Sequence, residues 1–192
     1  MNMDQLALLL RLLLAFLFFT TAWSKLKKMG EHIGIVEDYK ILPKRLVKPF
    51  AKGEVYFELS LSLLLIVGIY QDLTALAAVL LLLIYTTAIT VNLLRGRKEI
   101  SCGCGGAAGN HQLSGWLVLR NAVLIVLAMI VYAVNTPLLS ADALLSGYSI
   151  AAVLGLEMWV LLLAAVAAMF VWTIVNEMQA ISNEMRSFWE RG

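Results

Sequence analysis

Only two of the 192 residues are cysteine, and both fall in one short stretch. No hydrolase, transferase or nucleotide-binding motif occurs elsewhere, so no cofactor is expected and no second stretch is equipped for chemistry. Strand-type alternation is absent, which excludes a membrane β-barrel, whose strands read as short alternating segments. There is no internal repeat and no low-complexity linker, which argues against a repeat-built transporter and for a single domain over residues 1–192. Net charge is only +2, and the basic residues have a membrane explanation, so nucleic acid is not an expected partner. The start, Met1-Asn2-Met3-Asp4-Gln5, lacks the basic n-region of a signal peptide. The apolar run after it is long for an h-region and has no small-x-small cleavage site, so the segment is expected to be retained.

What is present is apolar residue in blocks. The chain is 61% hydrophobic, with a mean hydropathy of +0.84. The excess falls in nearly uncharged runs of about 18–25 residues, enough to cross a hydrocarbon core about 30 Å thick as helix. The expected fold is therefore an all-α polytopic membrane helix bundle of about five transmembrane helices. The expected spans are Leu6–Trp23, Val55–Tyr70, Leu73–Leu94, Trp116–Val134 and Ile150–Val175. Gln71-Asp72 is the expected hairpin link between the second and third spans, and Asn135-Thr136-Pro137 ends the fourth.

Charge sets the orientation. With five spans, the first loop, the cysteine loop (95–115) and the C-terminus share a side, and that side holds thirteen of the fifteen Lys and Arg residues. The opposite side has Asp4, Asp72 and Asp142 and no basic residue. The positive-inside rule then puts the N-terminus outside and the cysteine loop and C-terminus in the cytoplasm. In the first loop Ile33, Val36 and Tyr39 are helix-spaced, and Pro43 and Pro49 are expected to break the segment. Lys40, Lys44, Lys48 and Lys52 recur every four residues, a pattern suited to an interfacial helix on anionic lipids or to a solvated face. The tail Asn176–Arg191 reads as a second interfacial or partner helix.

Four ionisable residues lie inside spans, where each is costly alone. At 1.5 Å per residue, Glu58 and Arg120 lie roughly 6–8 Å from the cysteine side, and Arg11 and Glu157 roughly 9–12 Å from the other. Matching depth predicts the pairs Glu58–Arg120 and Arg11–Glu157, which either set helix register or, with Asn92 and Asn121, form a polar floor under the cysteine loop.

That loop reads Ile100-Ser101-Cys102-Gly103-Cys104-Gly105-Gly106. A Cys-x-Cys disulfide closes a tight ring, so it is strained and easily reduced, the type used for exchange. Gly103, Gly105 and Gly106 relax the backbone and let a partner approach. Arg120 and Lys98 are placed to favour a thiolate, with Glu58 and Asn121 positioning the loop. Two alternatives stay open: a metal site from Cys102, Cys104 and His111, which lacks a visible fourth ligand, and two bystander cysteines.

Asn92-Leu93-Leu94-Arg95-Gly96-Arg97, then Cys102-Gly103-Cys104-Gly105, then Arg120-Asn121 opening a helix, resembles the methylamine utilisation protein MauE family and, more widely, the DoxX-like membrane proteins. Arg11, Ser24-Lys25-Leu26, Tyr39, Pro43 and Glu58-Leu59 fit the same pattern. One departure is Gly105-Gly106-Ala107, where family members often carry an aromatic residue and then glycine. The resemblance implies a DoxX-like four-helix core plus one helix, in a bacterial inner membrane. It also implies a role in processing, transport or maturation of the small β subunit of methylamine dehydrogenase, an exported, disulfide-rich protein, alongside a thioredoxin-like partner, MauD. Thiol–disulfide exchange through Cys102 and Cys104 is then the expected activity; a docking scaffold and a small transporter are the alternatives. The charge rule and an exported client disagree about side. Either electrons cross the membrane, or the loop folds back into the bundle, or the span count differs.

Overall fold

The computed structural model describes the backbone of residues 2–105 and 112–189; beyond Val175 it describes only the Met178 side chain, and those of Ala152 and Glu157 also lie outside the described set. Among the described residues eight helices follow in order: α1 (Met3–Lys27), α2 (Met29–Asp38), α3 (Lys44–Val67), α4 (Gln71–Leu94), α5 (Gly115–Ala133), α6 (Ala141–Leu145), α7 (Ile150–Val153) and α8 (Leu156–Trp189). The chain is an all-helical membrane bundle. Among the described residues extended pairing is limited to one antiparallel bridge, Ser101 to Gln112.

From Leu6 to Phe19, helix α1 is apolar apart from Arg11, and it packs against neighbours on two faces. Its Leu10, Leu14 and Phe18 meet Leu61 and Leu65 of α3, Ala78 and Leu82 of α4, and Ala128 of α5. Its Leu8 and Leu12 meet Met158 and Ala165 of α8. Helix α3 runs antiparallel beside it: Lys25 near the end of α1 meets Glu54 and Glu58, and Arg11 near its start lies against Gly68, which closes α3. Gly68 is required there. Its φ is +68°, and a Cβ would sit 2.7 Å from the carbonyl oxygen of Leu139.

Among the described residues, four segments are long and apolar enough to cross a membrane: α1, α4, α5 and Met158–Val175 of α8. The second expected span is the C-terminal half of α3, whose apolar run is interrupted upstream by Lys52, Glu54 and Glu58.

Several expectations change. The hairpin turn lies at Gly68-Ile69-Tyr70, and Gln71 already opens α4. Pro43 caps α3, but Pro49 lies inside it; it removes one helical hydrogen bond in the second turn, and burial of Val47 and Ala51 around it holds the helix. The fifth expected span is split at Leu154-Gly155 into α7 and α8. The tail is no separate helix, because no proline or glycine follows Gly155 before the end of α8. At 34 residues, α8 is about 50 Å long. Arg11 Nη2 donates to the carbonyl oxygens of Leu138 at 3.1 Å and Leu139 at 2.5 Å. The Glu157 side chain lies outside the described residues.

Candidate functional site

The end of the bundle that carries the cysteine loop is built on a buried charge cluster. Glu54 and Glu58 are one helical turn apart on the inner face of α3, a spacing at which like charges repel unless a cation intervenes. Lys25 intervenes, with its Nζ 2.7 Å from Glu54 Oε1 and 2.7 Å from Glu58 Oε2. Side-chain exposure is 5% or less for all three residues. Each of the four carboxylate oxygens has a partner. Thr21 Oγ1 donates to Glu58 Oε1 at 2.5 Å, and the Tyr85 hydroxyl to Glu54 Oε1 at 2.6 Å. His32 Nε2 lies 3.0 Å from Glu54 Oε2. Burial alone would raise the Glu54 carboxyl, but the Lys25 ammonium and the bond from His32 outweigh it and hold it down at about 2.

The cysteine loop docks on this cluster. Gly103 and Gly105 have φ of +68° and +58°, the left-handed region that glycine enters freely. They also allow close approach: a Cβ on Gly103 would lie 2.9 Å from Ile35 Cγ2 of α2, and one on Gly105 2.7 Å from Ser24 Oγ of α1. The Tyr39 hydroxyl donates to the Cys102 carbonyl at 3.2 Å. Arg97 Nη1 donates to the Tyr39 carbonyl and to Asn92 Oδ1. Neither cysteine is in a disulfide, and both are half-buried. The Cys104 N–H donates to Cys102 Sγ at 3.2 Å, and Arg120 Nη2 donates to Cys104 Sγ at 3.4 Å. The hydrogen bond with Cys102 and burial push the Cys104 thiol well above its ordinary value; Arg120 and Lys25 pull the other way and are outweighed. Cys104 therefore rests as a thiol at neutral pH.

A cavity of about 600 Å³ lies beside the loop, lined at one end by Lys25, His32, Glu54, Tyr85 and both cysteines, and elsewhere by apolar side chains of α2, α3 and α4.

The family described as "Methylamine utilisation protein MauE" matches residues 3–134. This chain belongs to the MauE family. Its relatives include the methylamine utilization protein MauE of Paracoccus denitrificans, 38% identical over 62% of this chain and 64% of the relative. The protein of the same name from Methylophilus methylotrophus is 38% identical over 54% of each chain. Thus the chain covers a little over half to just under two thirds of these relatives' length. No solved structure matches. The MauE match runs from α1 to the end of α5 and so includes every residue of the site described above.

Within this MauE bundle the expected site residues divide. Cys102, Cys104 and Arg120 come together. Glu58 pairs with Lys25 rather than with Arg120. Equal depth along two helices does not make them face each other, and Lys25 reaches Glu58 first from the adjoining helix. Asn92 clamps Arg97 at the root of the loop. Asn121 is buried, and its Nδ2 has no hydrogen-bond partner among the described residues. Lys98 is exposed, and no hydrogen bond or ion pair joins its side chain to either cysteine. His111 lies outside the described residues, which otherwise contain no cluster of three metal-ligating side chains. Residues the sequence reading did not assign to the site are Lys25, His32, Glu54, Tyr39 and Tyr85. The signal for the cluster was legible as two glutamates at i and i+4 on an apolar helix, which calls for a cation between them.

Proposed function

We propose that the protein is a multi-pass inner-membrane accessory protein that acts by thiol–disulfide exchange through Cys102 and Cys104 in maturing the methylamine dehydrogenase β subunit. A thioredoxin-like protein of the MauD type is its exchange partner. The observation that carries this reading is the pair of half-buried thiols, not joined in a disulfide, in a loop held by Gly103, Gly105, Tyr39 and Arg120. A strained two-residue disulfide formed there is labile and suited to exchange. Cys102, whose sulfur accepts the Cys104 N–H, is the attacking sulfur; Cys104, held as a thiol beside it, resolves the mixed disulfide. The relatives' printed name supports the methylamine context.

Helices α1, α4, α5 and α8 cross the membrane, and α3 makes the fifth crossing, antiparallel to α1. The charge asymmetry supports an external N-terminus and a cytoplasmic cysteine end, with anionic lipid headgroups on the exposed lysines of the first loop. Electrons then cross the membrane between the dithiol and the exported client. The test is the Cys102→Ser/Cys104→Ser double variant in cells that depend on methylamine dehydrogenase. Loss of active dehydrogenase with the membrane protein at normal abundance supports exchange; full assembly leaves a docking scaffold. Labelling with an impermeant maleimide reads the side, and modification in intact spheroplasts overturns the orientation.

A further inference from the structure

We infer that the cavity beside the dithiol binds the ring of a lipid-soluble quinone, which takes two electrons from Cys102 and Cys104. The inference rests on the exchange reading above and names the electron acceptor that reading lacks.

The walls identify where the occupant comes from. Leu80, Leu83, Ile84, Thr87, Ala88 and Val91 line the cavity from α4 and recur at the spacing of a single helical stripe. This helix is among those long and apolar enough to cross a membrane. Leu80, Leu83 and Ile84 remain 54%, 44% and 53% exposed, so the stripe faces outward, toward lipid. The cavity is thus entered from the bilayer, and an apolar tail can lie along that stripe.

The closed end identifies the head. About 600 Å³ is in the range of small-ligand pockets. His32 lines it, is 6% exposed, and its Nδ1 has no hydrogen-bond partner among the described residues. With Nε2 committed to Glu54, Nδ1 is left to serve a ligand oxygen, as acceptor in the neutral ring and as donor in the imidazolium. Lys25 and Tyr85 line the same end. Lys25 and Tyr85 are already committed to the glutamates, so a lipid acyl chain would leave His32 Nδ1 as the unused polar group. A quinone oxygen uses it, and a redox-active head gives the adjacent thiols an electron acceptor.

The chemistry balances. Two S–H bonds break and one S–S bond forms between Cys102 and Cys104. Two electrons and two protons pass to the quinone, whose two carbonyl oxygens become the hydroxyls of a quinol. A strained disulfide has a high potential, so forming it needs an oxidant stronger than the ordinary thiol pool, and a quinone is one. A carrier mobile within the bilayer also connects either face of the membrane with the cysteine end.

The test uses full-length protein in lipid nanodiscs, reduced and freed of reductant. The oxidant is a benzoquinone bearing a decyl tail and substituted at every ring position, so that a thiol does not add to the ring. The expected result is one quinone reduced per protein, with both thiols lost together. Leu83→Trp, on the outward face and away from the core, is expected to raise the quinone concentration needed for half-maximal rate at least tenfold. His32→Gln is expected to lower the maximal rate with less effect on that concentration. Thiols that react with glutathione disulfide but not with the quinone overturn the quinone site and leave the exchange reading standing. Thiols inert to both sink both readings. Equal quinone consumption by the Cys102→Ser/Cys104→Ser protein, or an unaltered concentration dependence in Leu83→Trp, also overturns the inference.

Discussion

Replacing Lys25 by methionine removes the ammonium that Glu54 and Glu58 share and leaves two carboxylates in a nearly dry site. Lys25 and Glu54 side chains are each 5% exposed and Glu58 is 2% exposed, so water cannot replace the lost partner without opening the bundle. Breaking a buried pair from one side costs about 3–5 kcal/mol, which is roughly two to three and a half powers of ten in the folded-to-unfolded ratio at about 1.4 kcal/mol per tenfold. The assay is equilibrium unfolding in mixed dodecylmaltoside and SDS micelles, followed by tryptophan fluorescence. Lys27→Met is the control: Lys27 is two residues away and exposed, and a change there is expected to stay within about 0.5 kcal/mol. The Lys25→Met/Glu54→Gln/Glu58→Gln triple variant has no uncompensated charge and is expected to recover most of the loss, because a neutral replacement of a buried ion set is often close to neutral in stability. If Lys25→Met matches the Lys27→Met control, or the triple variant is no more stable than the single one, the cluster does not hold α1 to α3.

The same cluster gives stability a pH limb. The folded Glu54 carboxyl is held at about 2 against an ordinary 4.5, so its contribution is complete above about pH 4.5 and is lost as pH falls toward 2. Glu54→Gln is expected to flatten that limb in unfolding curves taken from pH 6 downward. Arg120 pulls the Cys104 thiol down, so Arg120→Gln is expected to move the iodoacetamide pH profile of Cys104, read in a Cys102→Ser background, to higher pH; an unmoved or lowered profile contradicts the contact. Gly105→Ala combines a left-handed φ of +58° with a 2.7 Å approach to Ser24 Oγ, and is expected to undock the loop at about 1–3 kcal/mol, seen as faster maleimide labelling of both cysteines. Adding Ser24→Gly removes the steric part but not the backbone strain, so recovery is expected to be partial.

Much of this protein was legible one helix at a time. Apolar runs too long and too uncharged for a soluble core marked the crossings, and Pro137 lies just past the end of α5, whereas the stop at Gly68 was missed in favour of Gln71-Asp72. The cysteine loop stood out because it holds both cysteines among glycines with positive-φ freedom, and Arg120 lies against Cys104. Tyr39 and Ser24-Lys25 were noticed as parts of a family pattern without a physical role. Pro49 misled, because a lone proline near a helix start loses to the packing of Val47 and Ala51.

Composition and periodicity, which act within a single segment, thus determined the membrane class, the helices and the place of the chemistry. Height along a helix is also in the sequence, at 1.5 Å per residue, and it put Glu58 and Arg120 at one level. The direction in which a side chain points around the bundle is not, because it depends on which helices adjoin and how each is rotated. Only the packing of α1 against α3 turned Glu54 and Glu58 toward Lys25, and left Arg120 for Cys104. The cavity had the same origin: its walls come from α2, α3, α4 and the cysteine loop, which are distant along the chain and meet only when the bundle is assembled.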